Sequence, residues 1–287
     1  MTPHHHLLLV DPQNDFCDLP PDWQGQQPNG QPLSPALPVA GAHADMLRTA
    51  AFIEQATPLL QAITVTLDSH HRIDIAHPDF WQHADGSAVA PFTPITAAQV
   101  RFGTYTTRLP QDLSRALTYL DALEARLRYT LMVWPVHCEI GSWGHNVHPA
   151  VRLAYNAWET KHQRSVYKVM KGSNPWTEHY SALQAEVPDP SDPHTLLNTE
   201  LLNRLNTADT LFVAGEASSH CVRATVHDII DHWPGAKPER VVLLTDAMSP
   251  VAGFESQHQE FLQQMSARGV LTMGCEEALV MLRKGSI

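Results

Sequence analysis

Hydrophobic residues in this chain of 287 residues gather in short unbroken runs instead of alternating with polar ones. Runs rich in Leu and Val, each closing on a polar residue or glycine, fall at Leu7–Val10, Ile63–Leu67, Leu131–Trp134, Ser165–Val169, Thr210–Ala214 and Val241–Thr245, with a weaker one near Val270–Met273. Strands read this way when neither face meets water, which is the condition of a parallel sheet covered on both sides. Between the runs, apolar residues recur at spacings of three and four over Met46–Ala62, Leu113–Leu127, His148–Glu159, Glu200–Asn206, Val222–His232 and Glu255–Ala267, the pattern of amphipathic helices. The alternation predicts an α/β fold with a doubly wound, mainly parallel six-stranded sheet and helices on both faces. Polar, proline-containing stretches near 18–38, 83–112 and 187–198 read as surface insertions in a single domain spanning 1–287.

Composition narrows the function. Apolar residues make up 43% of the chain, enough to bury a sizeable core. The formal charge of −11, from 19 basic and 30 acidic residues without a Lys/Arg cluster, excludes a nucleic-acid footprint. No run approaches the ~20 apolar residues of a membrane span, and no cationic, apolar leader opens the chain. Four cysteines, scattered without CxxC pairing, suit reduced thiols in a cytoplasm. The 18 histidines are many for this length, and several stand beside Asp, Cys or Trp, as they do in metal and proton-transfer sites. The His4–His6 run is given no role.

In open α/β sheets, ligands bind outside the carboxyl ends of the strands. Here the first strand ends in Asp11 within LVDPQNDF, the second in Asp68 and His70 within TLDSHH, the third in His137 within VWPVHC, and the fifth leads through GEASSH to Cys221. Asp68 and His70 are two residues apart, so an extended chain points both to one side. With His137 they make a two-histidine, one-carboxylate set that leaves positions open on a divalent ion. Zinc, iron and manganese all suit such a set. Hydrogen-bonded strand ends are the plainer reading. His77 is a further candidate ligand, while His71, His145, His148 and His220 read as loop or helix-surface polarity.

Cys221 opens the predicted helix, where the partly positive N-terminus favours the thiolate and free backbone N–H groups could receive an oxyanion. An inert buried cysteine is the commoner case; Cys138 and Cys17 are rival thiols in weaker settings. Asp11 suits the proton carrier that a cysteine hydrolase needs, and Lys171, or its neighbour Lys168, could supply positive charge.

DPQNDF, the D-x-H pair, WPVHC, KG followed by YSA, and G-x-A-x-x-x-C-V occur in the order seen in nicotinamidases. From about Leu7 to about Pro250 the chain resembles that superfamily of cysteine hydrolases, which includes the isochorismatase-like hydrolases. The resemblance implies a catalytic triad of Asp11, Lys171 and Cys221, metal ligands Asp68, His70 and His137, usually for zinc, and aromatic residues Phe16 and Trp134 flanking a flat heteroaromatic amide. It implies an oxyanion hole at Ala217 and Cys221, a cis peptide bond at Glu216–Ala217, homo-oligomers, and a small-molecule amide as the only partner, with neither nucleic acid nor membrane. The sequence departs from the pattern in GEASSHC, where similar enzymes more often carry Val or Ile after the glycine and an acidic residue near the fourth position after it. The long stretch from His77 to Trp134 is a second departure, able to rebuild the pocket wall. Amidases of other small amides or carbamoyl compounds, and non-catalytic metal-binding relatives, are the competing readings.

Overall fold

The computed structural model describes residues 3–233, 235 and 237–284. Its central sheet uses β1 (His5–Val10), β2 (Leu60–Asp68), β3 (Tyr167–Lys171), β4 (Thr210–Gly215), β5 (Val241–Leu244) and β6 (Leu271–Met273), in the order β6-β5-β4-β1-β2-β3 and parallel at every pairing. Every residue of β1 and β5, and every residue of β4 except Thr210, is buried, so both faces are covered, as the unbroken apolar runs predict. The covering helices are α1 (Ala42–Ala56), α2 (Leu113–Ala125), α3 (Pro149–His162), α4 (Thr199–Asn206), α5 (Cys221–His232), α6 (Glu255–Ala267) and α7 (Cys275–Lys284). Helices α1, α3 and α7 form one packed group, and α5 packs against α6.

Two expected elements need correction, and one helix was not foreseen. The run Leu131–Trp134 is not a sheet strand: Leu131–Val133 pairs antiparallel with Thr93–Ile95 in a separate two-stranded piece, and the sixth place belongs to the weaker run, as β6. An apolar run reports burial and leaves the partner strand unspecified. The helix expected over Met46–Ala62 begins at Ala42 and stops at Ala56, with Thr57 still at helical φ and ψ, because Pro58 has no N–H to continue the hydrogen-bond ladder. Helix α7 carries only a short apolar stripe between charged ends and was not expected.

The 83–112 stretch holds Thr93–Ile95, a one-turn helix at Ala97–Arg101 closed by a capping box of Thr96 and Gln99, and Tyr105–Thr107, which pairs with Trp81–His83. It delivers Phe92 edge-on to Trp134, with ring centroids 5.9 Å apart. His5 and His6 are buried residues of β1, and His6 Nε2 meets Thr64 Oγ1 at 2.8 Å.

His148 is wholly buried and is no surface residue. Its Nδ1 accepts from the Ala150 amide at 3.3 Å, capping α3, while its Nε2 meets His43 Nδ1 at 3.0 Å and its ring stacks on Trp23. Capping needs a lone pair, so the ring must be neutral. Burial, with the neighbouring His43, lowers its pKa from 6.5 to about 4. The unfolded chain therefore binds the proton first, and stability present above pH 6.5 is lost as pH falls towards about 4. In thermal melts, His148→Asn, which retains a capping oxygen, should remove part of that acid loss, on the order of 2 kcal/mol.

Candidate active site

The chain winds outward from β1 through β2 to β3, then returns to the other side of β1 as β4. That reversal opens a crevice at the carboxyl ends of β1 and β4, and it separates the two segments that carry Asp11 and Cys221. Val10 is paired with Gly215 across this seam. A Cβ on Gly215 would lie 2.0 Å from the Val10 carbonyl oxygen, and its φ is +124°, so only glycine permits the approach. On the other side of β1, Asp68 is the register partner of Lys171.

These strand ends converge on one ammonium group. Lys171 Nζ lies 2.9 Å from Asp11 Oδ2, 2.9 Å from Asp68 Oδ1, 3.0 Å from the His179 carbonyl oxygen and 3.5 Å from Cys221 Sγ. Lys168, the alternative lysine, is exposed, with its ammonium over the Tyr155 ring. Asp11, at φ +45°, is held by Thr66, whose hydroxyl donates to Oδ1 at 2.5 Å. Ligand-type atoms of Asp11, Asp68 and Cys221 all lie within 4.8 Å of one another. Burial pushes the Cys221 thiol well up, against the pull of Lys171. A thiol raised in this way rests with its proton, so a base must take it before the sulfur can attack. Burial also raises Asp11, with Lys171 opposing.

Asp68 faces the second cluster. Its Oδ2 lies 3.1 Å from His70 Nε2 and 3.4 Å from His137 Nε2, and one atom from each of the three falls within 4.8 Å of the others. The second nitrogen of each ring is already engaged: His70 Nδ1 meets Asp74 Oδ2 at 3.1 Å, and His137 Nδ1 meets the Pro135 carbonyl oxygen at 2.8 Å. Such outer partners fix the tautomer and aim the free nitrogen of a metal-binding imidazole. Although burial works against the charged form, Asp68 and Asp74 raise His70 well above the usual histidine range. Likewise, despite burial, His70 and Lys171 hold Asp68 well below the usual carboxylate range. The cluster is short of positive charge, and its donor set fits a divalent ion. His77 stands behind it: its Nε2 meets His137 Nδ1 at 3.3 Å and its Nδ1 meets the His71 carbonyl oxygen at 3.1 Å.

The first motif secures this edge. Gln13 brackets the Asp68 backbone, donating to its carbonyl at 2.8 Å and accepting from its amide at 2.7 Å. Asp15 accepts from the Cys138 amide at 2.7 Å. Cys138 and Cys17 are buried, and burial pushes both thiols up; neither joins the Lys171 cluster.

A narrow pocket runs down to Cys221, and Phe16, Asp68, Trp134, His137 and Ala217 line it. The Glu216–Ala217 peptide bond is cis. Among the described residues no hydrogen bond engages the amide of Ala217 or of Cys221, which leaves both free for an oxyanion. Sequence reasoning missed Glu178, Tyr180 and His220, which also line the pocket. Tyr180 accepts from Trp134 Nε1 at 3.0 Å. His220, read as surface polarity, is buried among Trp134, Tyr180 and Phe254, with Nδ1 on Ser219 Oγ. Burial lowers its pKa to about 3, so the ring is neutral.

No protein-family model and no curated protein matches this sequence. Solved structures share its fold over nearly the whole length. A nicotinamidase/pyrazinamidase from Acinetobacter baumanii is similar with a TM-score of 0.61 at 20% identity, over 96% of this chain and 98% of that one. The yeast nicotinamidase bound to the inhibitor nicotinaldehyde gives 0.61 at 20% identity, over 94% and 99%. A pyrazinamidase from Pyrococcus horikoshii in complex with zinc gives 0.52 at 19% identity, over 95% and 99%. The chain therefore has the α/β fold of the nicotinamidases and isochorismatase-like hydrolases.

Asp74 gives a test of the metal reading that does not need turnover. Asp74→Asn should weaken zinc binding by about 10–100-fold in a chelator competition; unchanged affinity would remove the role of Asp74 in aiming His70.

Proposed function

We propose that this protein is a cysteine amidohydrolase that converts nicotinamide to nicotinate and ammonia through a thioester on Cys221, with a divalent ion, zinc foremost, held by Asp68, His70 and His137. The observation that carries the reading is the contact of one ammonium, that of Lys171, with both Asp11 and Cys221 at the floor of an aromatic pocket. Similar folds belong to proteins named for nicotinamidase and pyrazinamidase activity, one of them a zinc complex, which supports both substrate class and metal.

Substrate enters between Phe16 and Trp134 with its carboxamide over Cys221 Sγ. Asp11 takes the thiol proton, and Lys171 balances the thiolate that attacks the carbonyl carbon. The amides of Ala217 and Cys221 receive the oxyanion. The tetrahedral carbon collapses with loss of its C–N bond, Asp11 returns the proton to departing ammonia, and a thioester remains. Asp11 then accepts a proton from water attacking the thioester, releasing the acid and restoring the thiol. A bound divalent ion would supply a Lewis acid in the pocket wall, suited to a heteroaromatic ring nitrogen.

A second reading, an amidase of a different small amide or carbamoyl compound, draws on Phe92, which the 83–112 stretch sets against Trp134. It uses the same catalytic set.

Metal-replete protein should release ammonia from nicotinamide, and Cys221→Ala should lower kcat at least about a thousandfold with the melting temperature preserved. Wild-type release that persists in Cys221→Ala contradicts the mechanism. Folded, metal-loaded protein that leaves nicotinamide intact but hydrolyses another amide through Cys221 favours the second reading.

A further inference from the structure

Glu216 lies directly before Ala217 and is fully buried. Its side chain reaches away from the pocket, into the junction of α1 with the loop after β5. There Glu216 Oε2 accepts from the Ser249 amide at 3.1 Å. The Ser249 hydroxyl donates to Asp45 Oδ2 of α1 at 2.5 Å, and the Ser249 carbonyl accepts from the Ser218 amide at 2.9 Å. One serine thus ties the turn after β4 to α1. Arg48 donates to Asp45 Oδ1 and to the Asp246 carbonyl. Both oxygens of Asp45 are engaged by donors, whereas Glu216 Oε1 is buried and no donor points at it. The same serine therefore holds both carboxyl groups, Glu216 through its amide and Asp45 through its hydroxyl.

Two facing carboxyls attract only if one of them keeps its proton. Arg48 and Ser249 already donate to both oxygens of Asp45, so the orphaned oxygen of Glu216 is the place for the proton. The other groups against Glu216 are Asp18, a further negative charge, and the Cys17 thiol. Arg48, the one cation at the junction among the described residues, is on Asp45.

We propose that Glu216 is a positioning residue: its orphaned oxygen carries a proton and donates it to Asp45, and with Ser249 the side chain clamps the turn that presents the Ala217 amide and Cys221. Its effect on turnover rests on the thioester mechanism above; the clamp itself does not. Burial first, and then Asp45, raise the Glu216 pKa well above 4.5, in keeping with this arrangement. Because the folded state holds this proton more tightly than the unfolded one, the group's contribution to stability falls as pH rises above 4.5.

Two measurements on the full chain test the clamp. Glu216→Gln keeps a donor for Asp45 and an acceptor for Ser249 but cannot ionise. The melting temperature of Glu216→Gln minus that of wild type should therefore grow by several degrees from about pH 5 to about pH 9. Parallel curves would overturn the proposal. In steady-state kinetics Glu216→Ala should lower kcat about tenfold with KM little changed, while Glu216→Gln recovers most of that loss. A Gln variant as impaired as the Ala variant would also overturn it. If wild-type protein hydrolyses no amide, the mechanism fails, and the melting comparison still decides the clamp.

Discussion

The Lys171 ammonium, 2.9 Å from each of two buried carboxylates and 3.5 Å from a buried sulfur, is the charge on which the rest of the pocket depends. Asp11 and Asp68 close neighbouring strands, and removing either from water costs several kcal/mol unless a partner of opposite sign is in place. Lysine at 171 is that partner because β3 pairs with β2 in the register that sets Lys171 beside Asp68. With one cation shared, Asp11 is free to take a proton and Asp68 to turn its other oxygen towards His70 and His137. The half of the pocket that holds Asp11 and Cys221 and the half that holds Asp68, His70 and His137 are therefore one electrostatic unit.

Backbone constraints bring the sulfur to that charge. The chain reverses its winding between β3 and β4, and the crevice opened by the reversal lies between the segments after β1 and β4. Gly215 allows the two to approach until no side chain fits between them. Gln13, by bracketing Asp68 through both of its backbone groups, holds β1 and β2 in step. Glu216 and Ser249 extend the same bracing to the helix layer on the far side of the turn.

Much of this was legible in the sequence because chemistry at a strand end leaves a local mark: an unbroken apolar run followed at once by Asp, His or a small-residue turn. Asp11, Asp68, His70 and Cys221 are of that kind. Phe16, Trp134 and the choice of Lys171 over Lys168 came through family resemblance, since an aromatic or a lysine beside a strand is ordinary without it. Asp74, Glu178, Tyr180 and His220 were illegible because they lie in irregular segments, where no period tells a side chain which way to face. The partner of Leu131–Val133 was hidden for a related reason. A run of buried residues reports that it is covered, while the covering element is set by contacts distant in sequence. His148 and His220 look alike in sequence, yet one caps a helix and the other lines the pocket.

The most direct test of the account is acid-quenched intact-mass spectrometry of the metal-loaded protein during turnover of nicotinamide, followed by peptide mapping. The account predicts a mass increase of one nicotinoyl group that maps to Cys221 and disappears as substrate is consumed. Steady turnover without any adduct, or with the adduct on Cys138 or Cys17, would contradict it.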